Sequence, residues 1–404
     1  MPVSSPPGHS STDNLLQLPT PDLEAQAHSK KLIELIVSDI AAADGRISFA
    51  HYMELALFAP GLGYYSAGTN KFGEQGDFVT APEISPLFSR ALAQQVAEVL
   101  STIEGHGEVL EVGAGTGTMA SEMLAELDAL DMLPSRYAIL ELSADLQVRQ
   151  RDTIGKRVPH LLERVHWLTT LPASGFRGVV VANELLDALP VQCFVMREKD
   201  LRERFVGFDG ERFQWIVDEE ASAATIPIPE HLSKIINALP VGYESEINLA
   251  AASWVKSIAD CLDSGVVLLI DYGFSSHEYY HSQRSRGTLM CHYRHRVHED
   301  PFVYPGLQDI TAHVDFTAIA EAAVSAGLDV RGYNTQGFFL LGCGLTDLVQ
   351  SEGLDERQRI IQAQQLRTLT LPAEMGERFK VMALSRHYEN PLRGFALQDL
   401  RHQL

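Results

Sequence analysis

Cysteine is scarce in this 404-residue chain: Cys193, Cys261, Cys291 and Cys343 stand far apart and form no CxxC pair. That scarcity argues against a disulfide-stapled scaffold or a structural zinc site, and implies a reducing, intracellular setting. Long apolar runs are missing as well; none approaches the roughly 18 residues that a bilayer-spanning helix needs. The first 29 residues hold neither lysine nor arginine, so they resemble neither a signal peptide nor an arginine-rich transit peptide. The expected compartment is the bacterial cytoplasm, with the mitochondrial matrix as the alternative. Positive charge is in deficit, with 32 Lys+Arg against 53 Asp+Glu and a net charge of −21. So acidic a protein repels phosphate backbones unless a basic patch compensates. Only Arg284, Arg286, Arg294 and Arg296 gather loosely. No nucleic acid is expected as a partner; a cationic protein surface is easier to accommodate.

What is present reads as an α/β protein. Leu32, Leu35, Ile36 and Ile40 recur at helical spacing, and a short helix is expected from Phe49 to Leu57, closed by Pro60 and Gly61. A glycine-rich stretch, 61–85, follows and is too long to be an idle connection; then comes a helix over 86–104. From Glu108 onward the pattern alternates. EVLEVG, YAILEL, the short Val165–Leu168 segment and the apolar GVVVANEL read as strands, separated by helices at Met119–Leu127 and Ala144–Thr153. Alternation of this kind builds a mostly parallel sheet with helices on both faces. Strand-like stretches CFVMRE, RFVGF and RFQWIV interrupt it within 191–250, and VVLLIDYG resumes it at 266–273.

Four segments carry chemistry. Glu111-Val-Gly113-Ala-Gly115-Thr-Gly117 lies between a strand and a helix. Glycines at alternate positions let the backbone turn sharply and approach a ligand, beside free helix N–H groups. The GxGxG spacing after an acid departs from the GxGxxG of dinucleotide sites and is the pattern associated with S-adenosylmethionine. A plain tight turn is the competing reading. Glu141 ends the next strand, where an acid can accept from both ribose hydroxyls of an adenosyl group; a solvated strand-end glutamate is the alternative. Asn183-Glu184-Leu-Leu-Asp187 follows the VVVA strand, at the edge where open sheets bind ligands. It lacks the Asn/Asp-Pro-Pro-aromatic tetrad of DNA amino-methyltransferases and offers two carboxylates instead. These can hold a guanidinium through paired hydrogen bonds, although an acid there can also cap a helix. Finally, Asp77-Phe78-Val-Thr80 sits in the glycine-rich stretch, which can fold over a bound cofactor or serve only as a structural loop. His277, His281, His292, His295, His298 and His313 crowd one segment. Their steps of three invite a metal reading on a helix, but no metal is expected, because the spacing matches no established ligand set. A polar, substrate-facing insertion is the preferred reading.

Taken in order, GYYSAG, GDFVTAPEIS, LEVGAGTG, ILELSADLQVRQ, NELLDALPVQ, LLIDYGF, GTLMCHYRHRV, PFVYPGLQDITAHVDF, TQGFFLLGCG and MGERFKVMALSR resemble the MidA-like family. The family's mitochondrial members are assembly-factor arginine methyltransferases for respiratory complex I. The likeness covers about residues 30–386. It implies a class I, Rossmann-like methyltransferase with a seven-stranded, mostly parallel sheet, an N-terminal helical segment and an inserted α+β cap. It places the family's glycine motif on Gly113, Gly115 and Gly117 and its ribose acid on Glu141; Glu111, and Asp77, Phe78 and Thr80 of the covering loop, are expected from the residues themselves to complete the S-adenosyl-L-methionine site. Its substrate-side loop falls on NELLDALP, similar to the SELLGSF type of enzymes that make symmetric dimethylarginine, with Glu184 at the guanidinium-gripping position; Asp187 and Asn183 are the further catalytic candidates read from the residues. One departure is Ala81, where serine is common. The expected division is a disordered tail over 1–21, a helical region with the cofactor-covering loop over 22–105, and core over 106–190. A β-rich insertion at 191–250, core at 251–273, the His/Tyr/Arg-rich insertion at 274–312, core at 313–386 and a tail at 387–404 complete it. The implied partner is an arginine-bearing protein such as a complex I subunit, with a homodimer as an allowed assembly. Rival readings are methylation of a small molecule or RNA, or a non-catalytic assembly factor that binds cofactor and partner.

Overall fold

The computed structural model describes residues 18–66, 80–198, 200–218, 226–349 and 355–404. Most of the expected tail, and Asp77 and Phe78 of the covering loop, fall outside these residues.

The core is one sheet of β1 (Glu108–Val112), β2 (Arg136–Leu140), β3 (Val165–Leu168), β4 (Phe176–Asn183), β5 (Leu262–Phe274), β6 (Val314–Asp315), β7 (Asp329–Thr335) and β8 (Phe379–Arg386). Its order is β7-β8-β5-β4-β1-β2-β3, with short β6 beside the end of β5. Strands β1 to β5 pair in parallel, whereas β8 inserts antiparallel to both of its neighbours. Val179, Val180 and Val181 of β4 have no exposed surface, as a central strand covered on both faces requires. On one face pack α1 (Pro86–Leu100), α2 (Thr118–Ala129) and α3 (Ala144–Arg157); on the other, α4 (Leu249–Cys261) and α5 (Phe316–Ser325). The chain leaves β1 toward β2 on one side and returns to β4 on the other. The crevice at that reversal is where ligands of open α/β sheets lie.

A second layer covers the carboxyl ends of the strands. An antiparallel sheet runs through Ile47–Ser48, Leu201–Phe208, Gln192–Met196 and Glu244–Ile247, and Phe213–Val217 pairs with Leu201–Phe208. A three-stranded sheet joins Arg296–His298, Met290–Tyr293 and Asp309–Thr311. Both share a core with helices Leu23–Ala42 and Phe49–Phe58, centred on Leu32, Ile36, Tyr52, Cys193, Phe213 and Ile310.

Three local expectations are corrected. The helix expected over 86–104 stops at Leu100, and the chain then turns through Gly105 and Gly107, both at positive φ. The histidine steps of three lie on a hairpin: Cys291 faces His298 and His292 faces Val297, across a turn in which Arg294 and His295 both have positive φ. The strand Glu244–Ile247 lies within 191–250 but outside the three segments read there as strand-like, because its alternation is too short to register.

Candidate active site

The glycine turn at the end of β1 is built from three positive-φ residues, Gly113 at 71°, Gly115 at 51° and Gly117 at 84°. They do different jobs. A Cβ at Gly117 would lie 2.9 Å from Gln150 Cα, so this position permits the loop to rest on α3. A Cβ at Gly115 would meet nothing within 4 Å, so its bare backbone faces open space. Glu141 is 8% exposed at the end of β2. Its Oε1 accepts from Ser143 N–H at 2.8 Å and its Oε2 from Gln150 Nε2 at 3.2 Å. Lone pairs on both oxygens remain for ribose hydroxyls. Burial raises its pKa, against the hydrogen bonds from Ser143 and Gln150. Beside it Leu142 is 76% exposed, an apolar surface suited to a flat ring. An open backbone cradle, a fixed acid and an apolar flank together fit an adenosyl group.

Gln150 is a hub that no sequence pattern revealed. Wholly buried, it donates to Gly115 O at 3.0 Å and to Glu141, and accepts from Trp167 Nε1 at 2.9 Å. Its one legible signal is its place two turns into the helix that follows the ribose-type acid. Glu111 behaves differently from its neighbours in the motif. Its carboxyl is fully enclosed and accepts from Tyr137 Oη, and burial pushes its pKa up to about 7 despite that bond.

At the end of β4 the structure gathers acids. Asn183 and Asp187 are buried, while Glu184 adopts φ 49°, a left-handed conformation that a non-glycine residue reaches only at some strain. Glu184 Oε1 accepts from Asn183 Nδ2 at 3.1 Å and from Ala81 N–H at 3.4 Å. The end of the glycine-rich stretch therefore docks on Glu184, and Thr80 stands at the N-terminal boundary of the short helix Ala81–Ile84 next to it, without a side-chain capping bond. Glu83 of that helix accepts from Thr116 Oγ1 at 3.3 Å, which ties the same segment to the glycine turn. Asp271, from β5, takes the Leu186 and Asp187 N–H groups on Oδ2 at 2.9 and 3.3 Å and so clamps the turn. Asp187 bonds to Tyr272, and its backbone carbonyl accepts from Ala312 N–H at 3.0 Å. Tyr65 Oη donates to Asp309 at 3.0 Å and lies close enough to Asp187 to be influenced by it.

Burial, then the charge of Asp187, pushes Glu184 up to about 8, and burial pushes Asp187 up to about 6. Burial, then Asp187 and Glu184, likewise holds Asp271 well above its ordinary value. No basic side chain figures among the groups acting on these three acids, and Asn183 Oδ1 and Asp187 Oδ1 are buried without a partner among the described residues. Buried acceptors left unpaired in this way are costly, and a cation with several N–H donors relieves that cost. Among the described residues, no group of three or more His, Cys, Asp or Glu has the arrangement of a metal site.

Residues 91–334 match a family model described as "Putative S-adenosyl-L-methionine-dependent methyltransferase". A crystal structure from Burkholderia thailandensis, of a "likely methyl transferase" bound to S-adenosyl-homocysteine, is 45% identical. It covers 96% of this chain and 100% of that one, with a TM-score of 0.90. The Drosophila melanogaster "Protein arginine methyltransferase NDUFAF7 homolog, mitochondrial" is 28% identical over 84% of this chain and 82% of its own length. The Homo sapiens "Protein arginine methyltransferase NDUFAF7, mitochondrial" is 29% identical over 85% and 81%.

Proposed function

The chain belongs to the S-adenosyl-L-methionine-dependent methyltransferases of the MidA-like family, and from that premise we propose that its methyl acceptor is an arginine side chain of a polypeptide. The observation that carries this reading is the buried set of acids at the ends of β4 and β5, on which no basic side chain among the described residues acts. The names of the 28–29% identical relatives support it. A respiratory complex I subunit or a related protein is the target class, symmetric dimethylarginine the product, and the bacterial cytoplasm the compartment, with the mitochondrial matrix, which the relatives' names carry, as the alternative. No helix among the described residues is long and apolar enough to cross a membrane.

When bound, S-adenosyl-L-methionine supplies a methyl group on a positively charged sulfur. Gly115 lets the backbone approach the cofactor, and Glu141, steadied by Gln150, holds its ribose. Glu184 and Asp187 take N–H donors of the guanidinium and turn one nitrogen toward the methyl group, which is orientation rather than strong base catalysis. After transfer that nitrogen carries one proton too many. The proton passes to the Glu184–Asp187 pair, whose affinities of about 8 and about 6 bracket neutral pH. Asp271 keeps the turn in shape, and the segment from Thr80 to Ser85 closes over Glu184.

The test is incubation of the protein with methyl-labelled cofactor in an extract of cells that lack it, followed by mass spectrometry. Label on arginine in a polypeptide is expected. Label confined to RNA or a small molecule would overturn the reading. Cofactor binding without any transfer would favour the assembly-factor alternative.

A further inference from the structure

The His/Tyr/Arg-rich insertion supplies a feature that methyl transfer does not use. In a protein of net charge −21, cations converge on one ring beside the acid cluster. The Arg284 guanidinium lies 4.3 Å from the Phe274 ring centroid, and Lys380 Nζ lies 5.6 Å from it. His313 stacks on the same ring at 5.3 Å with an interplanar angle of 4°. Three different elements contribute: Phe274 ends β5, Lys380 begins β8, and Arg284 and His313 come from and just after the insertion.

These donors are not used up. Arg284 Nε and His313 Nδ1 are buried without a partner among the described residues, and Arg284 is only half-buried overall. Lys380 is 9% exposed and donates to the Glu377 carbonyl, which leaves further N–H donors. The carboxylates that act on Lys380, Glu278 and Glu377, are both exposed. Burial, then Arg284, Lys380 and His292, holds His313 down at about 4, so its ring is a neutral wall between two cations.

The cluster adjoins the acceptor site. Asp187 bonds to Tyr272, whose ring meets His313 at 4.9 Å, and His313 meets Phe274 at 5.3 Å. Along β5 Tyr272 and Phe274 stand two residues apart, a rise of roughly 7 Å, so the two sites lie within a few residues' length of extended chain. Resting on the arginine reading of the acceptor, we propose that Arg284 and Lys380, walled by Phe274 and His313, bind a carboxylate of the methylated polypeptide: an acidic side chain within about three residues of the acceptor arginine. The pocket would then read two opposite charges, the guanidinium at Glu184 and Asp187 and the carboxylate at Arg284. An extended polypeptide bearing both is orientated by the pair.

The experiment uses the full-length protein, labelled S-adenosylmethionine and a peptide pool with arginine at the centre and randomised flanks. Mass spectrometry reads total methylarginine, which tests the acceptor, and the flanking residues of methylated members, which test the subsite. Aspartate or glutamate at one flanking position is expected to raise kcat/KM about tenfold or more over the matching amide. Arg284→Glu should bring that ratio to one or below, and Arg284→Lys should restore much of it. Methylarginine without acidic preference, or a preference that survives Arg284→Glu, overturns the subsite. If no peptide arginine is methylated, the acceptor reading falls. The subsite is then decided by the His313 ring resonance during titration with N-acetylaspartate. A shift in the wild type that is absent in Arg284→Glu upholds it, and no shift in the wild type sinks it.

Discussion

Replacing Glu184 by glutamine is expected to make the cofactor-free protein more stable, although the residue sits at the centre of the proposed chemistry. Burial and Asp187 raise its carboxyl from 4.5 to about 8, so folding takes up a proton at neutral pH. Below pH 4.5 both folded and unfolded chains hold that proton and the residue carries no penalty. As pH rises the unfolded chain ionises first, the penalty grows, and it levels off above pH 8. At pH 7, about 1.4 kcal/mol for each unit above 4.5 sets a ceiling of ~3.5 kcal/mol. Because the side chain keeps some contact with solvent, ~1–2 kcal/mol is the expected size. For a chain this long that amounts to a rise of about 1–3 °C in Tm. Glutamine keeps an acceptor for Asn183 Nδ2 and the Ala81 N–H, so the change removes the charge and little else. Calorimetry at pH 4.5 and pH 8 without cofactor measures it. A variant less stable than wild type at pH 8, or a difference unchanged between the two pH values, would refute the reasoning.

The same titration governs catalysis: a guanidinium stays charged throughout this range, so kcat/KM should climb about tenfold per pH unit toward pH 8 and then level off, and steady-state kinetics with saturating cofactor would read it. Gly115→Ala and Gly117→Ala should part company. The first places a methyl in the open cradle, so calorimetry should read loss of S-adenosylhomocysteine binding with a stability cost of only about 1 kcal/mol. The second drives Cβ to 2.9 Å from Gln150 Cα and should chiefly lower Tm. Gln150→Ala leaves Trp167 Nε1 and Glu141 without their partner; about 1–3 kcal/mol of stability and roughly tenfold in cofactor affinity should be lost, by thermal melting and calorimetry.

Legibility in the sequence followed the range of the interactions. The glycine turn, Glu141 and the 183–187 acids were readable because each stands at the end of an apolar strand, and a parallel sheet puts all such ends on one edge. Asp271 lies within the VVLLIDYG strand, but its inward turn onto the Leu186 and Asp187 N–H groups depends on β5 lying beside β4, which alternation alone does not order. Gln150 and Trp167 meet across two elements, and no local spacing encodes that. The hairpin at 290–298 was obscured because Arg294 and His295 occupy turn positions that glycine or asparagine ordinarily marks. The convergence of Arg284 and Lys380 on Phe274 joins residues about a hundred positions apart in sequence.

The central claim is that Glu184 grips the acceptor and not the cofactor. Single-turnover transfer to an arginine acceptor, measured for Glu184→Gln beside calorimetry with S-adenosylhomocysteine, tests it most directly. Cofactor affinity within about twofold of wild type, with transfer slowed about a hundredfold or more, is the expected result. Turnover close to wild type would contradict the account.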